Sequence, residues 1–171
     1  MQTIRSTRTS HNFTSRNTIK GFDTEEKLSD FDIEFFQLDV EVVASMESFV
    51  HALSSHTDSI DVLINNAGVL LDSGHHLRYM PMEIVDRTMK INFRGPLQLT
   101  KMLLPFLNKS QDPRVIDISY GMGALHSMGA GNGAYRISKT ALNVFKAVLA
   151  AEEHGIKVNS VCPDRVRIDM A

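Results

Sequence analysis

The chain has 171 residues, of which 43% are hydrophobic and 22% are charged, and its formal net charge is −2. These values fit a single globular domain and give no reason to expect nucleic acid or an anionic membrane as a partner. The single cysteine, Cys162, excludes an internal disulfide and favours a cytoplasmic location, and no apolar run approaches the roughly 20 residues of a membrane span.

Residues 1–22 are rich in Ser, Thr and basic residues and contain no acid. This composition is compatible with an organelle transit peptide. We interpret the segment instead as an irregular start that leads into a strand near Phe13, and keep the organelle as the alternative location.

The middle of the chain alternates between buried strands and helices. Residues 33–40 form an apolar run closed by an acid, and 42–53 have apolar residues at helical spacing. Residues 60–64 predict a short buried strand that runs into Asn65-Asn66-Ala67-Gly68. A long helical stretch covers 81–107, with Gly95-Pro96 as its weak point.

The last third continues the alternation. Residues 115–119 predict a strand, 121–133 a glycine-rich loop, 134–154 an amphipathic helix and 156–161 a final strand. The apolar positions 134, 137, 141, 144, 145 and 148 are expected to fall on one stripe of the helix. Strands that alternate with helices predict a parallel sheet between helical layers in one domain, residues 1–171.

The strongest local signal is Tyr135-Arg136-Ile137-Ser138-Lys139. Residues four apart lie on the same face of a helix, so the lysine ammonium would favour tyrosinate and lower the pKa of the phenol. Such a phenol can exchange a proton with a carbonyl or an alcohol. The same spacing also arises by chance, so this pair alone is weak evidence.

Three further motifs accompany it in order: Asn65-Asn66-Ala67-Gly68 after one strand, Asn92 in Lys-Ile-Asn-Phe-Arg-Gly-Pro, and Val-Asn-Ser-Val-Cys-Pro ending at Pro163. From about residue 13 onward, the chain closely resembles the short-chain dehydrogenase/reductase family, most of all its carbonyl-reductase branch. The resemblance implies a doubly wound, Rossmann-like parallel sheet in three layers, of strand order three-two-(one)-four-five-six.

The resemblance implies a role for each matching residue. Tyr135 matches the general acid/base, Lys139 the residue that lowers its pKa and holds the nicotinamide ribose, and Asn92 the residue that supports the lysine through a water. The other positions that match the family's cofactor-binding residues are Arg16, Asp39, Val40, Asn66, Ala67, Gly68 and Pro163.

Arg16 falls where members that prefer NADP place a basic residue for the 2′-phosphate. We therefore expect NADP(H) rather than NAD(H), although a solvated charge near the end of a strand would explain Arg16 equally well.

Several departures from the family pattern stand beside these matches. The family's glycine-rich loop, Thr-Gly-x-x-x-Gly-x-Gly, is missing, so the first strand and its phosphate site are expected to be absent, as is the last strand. Tyr120 occupies the place of the catalytic serine, with Ser119 next to it as a poor substitute. Asp117, Asp164 and Ile168 replace the usual Asn, Gly and Thr.

The resemblance implies an NADP-dependent reduction of a small carbonyl substrate, or oxidation of the alcohol. The departures favour the alternative, a degenerate or truncated homologue that acts as a binding module or is a gene fragment; a fragment that completes its sheet with a partner chain is a third. A homodimer would form through the helices around 81–107 and 134–154. His75-His76 lacks a third ligand, so no metal is expected.

Overall fold

The structure is a computed structural model that describes residues 2–5 and 11–163. Six strands form one sheet in the order β3-β2-β1-β4-β5-β6. The strands are β1 (Gln2–Arg5), β2 (His11–Ser15), β3 (Ile33–Gln37), β4 (Val62–Asn65), β5 (Arg114–Ile118) and β6 (Lys157–Val161).

Five α-helices connect the strands: α1 (Thr18–Lys27), α2 (Val43–Ser54), α3 (Met82–Met89), α4 (Gly95–Leu107) and α5 (Gly133–Glu152). A π-helical segment, Lys90–Arg94, joins α3 to α4, so the predicted long helical stretch changes its winding just before Gly95-Pro96. None of the helices in the described part of the chain is long and apolar enough to cross a membrane.

The parallel pairing of the strands confirms the predicted Rossmann-like fold. β2 pairs with β3, β4 with β5, and β5 with β6, each in parallel. A helix lies between the strands of every one of these pairs along the chain, which is the arrangement that parallel pairing requires. The carboxyl ends of these five strands therefore lie at one edge of the sheet.

The centre of the sheet differs from the prediction. The position expected to be empty is filled by β1, which runs antiparallel to both β2 and β4. Gln2 lies opposite Thr14, near the carboxyl end of β2, while Arg5 lies opposite His11 and Val62 at the other edge. The chain thus leaves β1 at the edge away from the carboxyl ends of the parallel strands.

The hydrophobic core lies between the sheet and the helices. Leu99, Leu103 and Leu107 follow one another at four-residue spacing on α4 and have no exposed surface. They belong to one cluster with Leu63 of β4 and Val115 of β5, which are also fully buried. Burying a leucine side chain contributes roughly 1.5 to 3 kcal/mol, so this face fixes α4 against the centre of the parallel strands.

Helix α5 is amphipathic, and the predicted apolar positions lie on one stripe about 100° wide that borders the buried face. Ala134, Leu142, Phe145 and Leu149 are buried, whereas the apolar side chains of Ile137, Val144 and Val148 are 47%, 58% and 47% exposed. Positions 137, 144 and 148 lie about a third of a turn from the centre of the buried face, so half of the predicted stripe is exposed. The helix therefore has a buried face and a second apolar face that is exposed.

Candidate active site

A cavity of about 330 Å³ opens at the carboxyl ends of β2 and β3. Its lining comes from the end of β2, from the segments that follow β2, β3 and β4, and from the π-helical segment: Thr14, Ser15, Arg16, Asn17, Lys20, Leu38, Asp39, Val40, Glu41, Ala67, Gly68, Val69 and Ile91. In open α/β sheets, ligands bind in the crevice at this edge. Five of the predicted cofactor-binding residues, Arg16, Asp39, Val40, Ala67 and Gly68, are thus brought to one cavity.

The charged part of the cavity lies around Arg16. Its guanidinium is 3.6 Å from the Glu41 carboxylate, and the carboxylate is also 3.4 Å from Arg87. Lys20, which the sequence analysis missed, lines the same cavity from the first turn of α1. In the sequence, the only indication of the place of Lys20 is Asn17, a residue type that favours the N-cap of a helix, which would put Lys20 in the first turn. The Asn17 side chain accepts a hydrogen bond from the Lys20 backbone N–H at 3.0 Å.

Asp39 and Val40 form the other wall of the cavity. The Asp39 carboxylate accepts a hydrogen bond of 2.9 Å from the backbone N–H of Glu41, which fixes the turn after β3. Val40 is buried, and a Cβ built on Gly95 would lie only 2.9 Å from its Cβ, so this wall packs closely against the start of α4. Asn66 is exposed and is not among the lining residues, unlike its neighbours Ala67 and Gly68.

Gly68 connects this cavity to a buried polar cluster. A Cβ built on Gly68 would lie 3.5 Å from both the Asn92 Oδ1 and the Lys139 Nζ. The residue therefore lines the cavity on one side and faces two predicted catalytic residues on the other. Because glycine has no side chain, Gly68 leaves open the path from the cavity to Asn92 and Lys139.

Tyr135 and Lys139 lie one turn apart on the buried face of α5. Tyr135 is 5% exposed and Lys139 is 4% exposed. The Lys139 Nζ lies 5.7 Å from the centroid of the Tyr135 ring and donates a hydrogen bond of 2.8 Å to the backbone carbonyl of Ile118 at the end of β5. The predicted pair is thus buried together at the carboxyl end of β5.

The pKa of Tyr135 differs from the expectation. Burial, with smaller contributions from Tyr120 and Cys162, raises the pKa of the Tyr135 phenol to about 12. Burial lowers the pKa of Lys139 to about 8, and the Asp117 carboxylate opposes this change. The pKa of Tyr135 is therefore raised in this arrangement and not lowered as predicted, because burial is the largest contribution and Lys139 is not among the groups that shift it.

Asn92 lies in the π-helical segment and has no exposed surface. Its Oδ1 accepts a hydrogen bond of 2.8 Å from the Val69 backbone N–H, and its Nδ2 donates to the Val69 carbonyl at 2.9 Å and to the Ser138 Oγ at 3.0 Å. Asn92 therefore ties the loop after β4 to α5. A π-helical turn inserted in a helix is often associated with a functional site.

Tyr120, rather than Ser119, contacts Tyr135. The two tyrosine rings meet edge to face with their centroids 6.2 Å apart. The Ser119 hydroxyl instead donates a hydrogen bond of 2.9 Å to the Asn143 Oδ1. Among the described residues, the hydroxyl of Ser119 is thus hydrogen-bonded to Asn143, and its use in place of the family's serine stays a prediction.

A residue that the sequence analysis missed caps the helix that carries Tyr135. Asn132, at the N-cap of α5, has a left-handed backbone (φ 52°) and its side chain does not cap the helix. Instead, the buried Asp72 carboxylate accepts hydrogen bonds from the backbone N–H groups of Ala134 at 2.8 Å and Tyr135 at 3.3 Å. No local pattern signals a cap supplied from a residue 62 positions away in sequence.

Replacing Asp72 with Ala is expected to destabilise the fold by about 1 to 2 kcal/mol, because two N–H groups at the buried start of α5 lose their acceptor. Chemical denaturation measures the change. Ser73→Ala, at the exposed neighbouring position, is the matched control and should leave stability nearly unchanged. An equal loss in both variants would contradict the capping role.

Pro163 is exposed just after β6. Asp164 and Ile168 lie outside the described residues. No group of three His, Cys, Asp or Glu side chains that could hold a metal ion occurs within residues 11–163.

Comparison with known proteins places these features in context. A model of the short chain dehydrogenase family matches residues 11–171. Salutaridine reductase of Papaver somniferum is 27% identical in an alignment 230 residues long, and the alignment covers 92% of this chain and 74% of the relative. Oxidoreductase UcpA of Salmonella typhimurium is 36% identical over 135 residues, which covers 78% of this chain and 50% of that relative.

A solved structure supports the same assignment. The RhlG/NADP active-site complex of Pseudomonas aeruginosa matches with a TM-score of 0.84 and 29% sequence identity. The match covers 93% of this chain and 64% of RhlG. The chain therefore spans between half and three quarters of the length of these three similar proteins.

Proposed function

The chain belongs to the short-chain dehydrogenase family, and we propose that it is an NADP(H)-dependent oxidoreductase that reduces a small carbonyl substrate, or oxidises the corresponding alcohol. Tyr135 is the general acid and base of this proposal, and Lys139 and Asn92 support it. Salutaridine reductase and the RhlG/NADP complex are relatives whose names agree with a reductase and with NADP.

One observation carries the proposal: the buried cluster of Tyr135, Lys139 and Asn92 is continuous with the cavity through Gly68. The cavity contains the groups suited to the adenosine half of the nucleotide, namely the Asp39 carboxylate and the apolar Val40 wall. The nicotinamide half would then extend past Gly68 toward Lys139. When bound, the nicotinamide supplies the hydride.

The pKa values of Tyr135 and Lys139 define the protonation states of the pair. Because the pKa of Tyr135 is raised to about 12, the phenol is protonated throughout the neutral range, which is the form that donates a proton to a carbonyl oxygen that gains hydride. Reduction produces the phenolate and oxidation starts from it, and because burial disfavours the phenolate, both directions need a cation that stabilises it. Lys139, with a pKa of about 8, is a cation at neutral pH and lies against the ring where negative charge develops on the tyrosine oxygen.

Arg16 and Lys20 are the basis of the preference for NADP(H). Both line the cavity beside the end of β2, and an arginine guanidinium matches the geometry of a phosphate. Glu41 competes for Arg16, since its carboxylate lies 3.6 Å away. A 2′-phosphate would have to displace this carboxylate from the guanidinium.

Arg16→Gln is expected to weaken the binding of NADPH by about 10-fold and to leave the binding of NADH nearly unchanged, because only NADPH carries the 2′-phosphate. Fluorescence titration with both nucleotides measures the effect. Lys27→Gln, which removes an exposed cation at the far end of α1, is the matched control. Equal losses for the two nucleotides would contradict the assignment of Arg16.

We also propose a homodimer through the exposed apolar face of α5, defined by Ile137, Val144 and Val148. Large apolar side chains exposed on one helix face are typical of an interaction surface. Val144→Lys is expected to shift the molecule toward monomer, as measured by light scattering at several concentrations. Lys101→Glu, on the exposed side of α4, should not. A monomer at every concentration in the unaltered protein would contradict the dimer.

The second candidate function is that of a non-catalytic homologue that acts as a binding module. The direction of β1 favours it, since a strand antiparallel to β2 and β4 leads the chain away from the edge that holds the cavity. A pyrophosphate is usually held at that edge by a glycine-rich turn and a helix N-terminus. Failure to bind NADPH even at millimolar concentration would support this candidate over the enzyme.

A further inference from the structure

Two buried polar residues and one half-buried serine form a row across the parallel strands. Asn65 of β4 lies opposite Asp117 of β5, which lies opposite Ser160 of β6. Each has a buried side-chain oxygen without a hydrogen-bond partner within the described residues: Asn65 Oδ1, Asp117 Oδ2 and Ser160 Oγ. Asp117 is the only carboxylate of this row, and it has no exposed surface.

Neutral groups do not fully satisfy the Asp117 carboxylate. Its Oδ1 accepts one hydrogen bond of 2.8 Å, from the Asn65 Nδ2, which also donates to Thr100 Oγ1 on α4 at 3.1 Å. A buried carboxylate is costly unless a positive charge or several hydrogen bonds offset its charge. On α5, the ammonium groups of Lys139 and Lys146 both act on Asp117 and favour its charged form.

The buried ammonium of Lys139 in turn needs a negative charge nearby. The residue is buried, and its ammonium donates one hydrogen bond, to the backbone carbonyl of Ile118, which is the residue that follows Asp117. The other groups around Lys139 are neutral at neutral pH: the Tyr135 ring, the Asn92 amide and Gly68. Among the described residues, Asp117 is the anion that stabilises the charge of Lys139.

We propose that Asp117 is a positioning residue of the site, whose buried carboxylate is the counter-charge that keeps the Lys139 ammonium protonated between β5 and α5. Its effect on turnover rests on the function proposed above, but its effect on Lys139 does not. Asp117 is not among the described residues that line the cavity, so its effect on the site is exerted through Lys139.

The pKa values of Asp117 and Lys139 determine the pH range in which both side chains are charged. Asp117 has a pKa raised to about 6 and is charged above that pH, whereas Lys139 has a pKa of about 8 and is charged below it. Both charges are therefore present between about pH 6 and pH 8. Removing the carboxylate lowers the pKa of Lys139, so the cation is lost at lower pH and the alkaline limb of any activity moves down.

The experiment measures Lys139 directly. The full chain is prepared with isotope-labelled lysine, the Lys139 signal is identified through its loss in Lys139→Met, and its chemical shift is followed against pH. Asp117→Asn keeps an oxygen that accepts from Asn65 but removes the charge. The Lys139 titration is expected to move down by about one pH unit in this variant.

Asp72→Asn is the matched control, since it removes the charge of another carboxylate without exposed surface, one that does not act on Lys139. An unchanged Lys139 titration in Asp117→Asn, or an equal change in Asp72→Asn, would overturn the proposal.

If Asp117→Asn does not fold, the titration of Lys139 in the unaltered chain tests the proposal. Its Lys139 signal should show a second, smaller inflection near pH 6, where Asp117 titrates, and a single inflection would overturn the proposal. No nucleotide is present in these measurements. A positive result without any NADPH-dependent turnover would therefore reject the proposed function while leaving the role of Asp117 intact.

Discussion

Tyr135→Phe is expected to lower the rate of NADPH-dependent carbonyl reduction by about 100- to 10,000-fold, because the ring remains and only the proton donor is removed. The phenylalanine fills the same buried site on α5, so the fold and the cavity beside Gly68 should be unaffected. NADPH consumption with a panel of small ketones and aldehydes measures the rate.

Two further measurements make this result specific. The unaltered chain and Tyr135→Phe should bind NADPH equally well, which separates the loss of the proton donor from a loss of the nucleotide. Tyr79→Phe, at an exposed tyrosine, is the matched control and should retain full activity. Retention of the rate in Tyr135→Phe would contradict the central assignment of this site.

Tyr120→Ser is expected to raise the rate by about 100- to 1,000-fold, the range associated with one positioned hydrogen-bond donor at a developing oxyanion. The Tyr120 ring lies edge to face against Tyr135 and contributes to the raised pKa of the Tyr135 phenol. A serine removes the ring and places a small hydroxyl where the family pattern has one.

Tyr120→Phe separates the two effects of this change, because it keeps the ring and removes only the hydroxyl. We expect this variant to be as slow as the unaltered chain. If Tyr120→Phe is slower still and Tyr120→Ser is no faster, the Tyr120 phenol itself is a competent donor to the substrate, and our interpretation of this residue is wrong.

The fold was predictable wherever burial gives a periodic pattern. Residues 33–40, 60–64 and 115–119 were apolar runs, and the structure has strands within or overlapping each of them. Helix α1 (Thr18–Lys27) was missed because its sequence, Thr-Ile-Lys-Gly-Phe-Asp-Thr-Glu-Glu-Lys, is largely polar and its two large apolar side chains, Ile19 and Phe22, are exposed. Because these side chains are not buried, the sequence of α1 shows no apolar pattern at helical spacing.

The sequence predicted those residues of the site that belong to a recognisable motif and that the fold also brings together. Tyr135, Lys139 and Asn92 were named from their motifs, and the structure buries all three at the carboxyl ends of the strands. Asp72 was not, because its role as a cap depends on a contact between segments far apart in sequence. The pKa of Tyr135 was misjudged for a related reason: helical spacing reveals the neighbouring cation but not the depth of burial.

The antiparallel strand β1 also determines how the sheet resists local opening. Within the described residues, two parallel ribbons, β2 with β3 and β4 with β5 and β6, do not pair with each other directly, and the four residues of β1 pair with both. On the β4 side, this junction consists of residues 3–5 paired with 62–64. So short a ladder opens at a lower free energy than the long-buried core, and its amides should exchange with solvent first. The cavity takes one wall from each ribbon, so the same opening that exposes these amides also sets the width of the cavity.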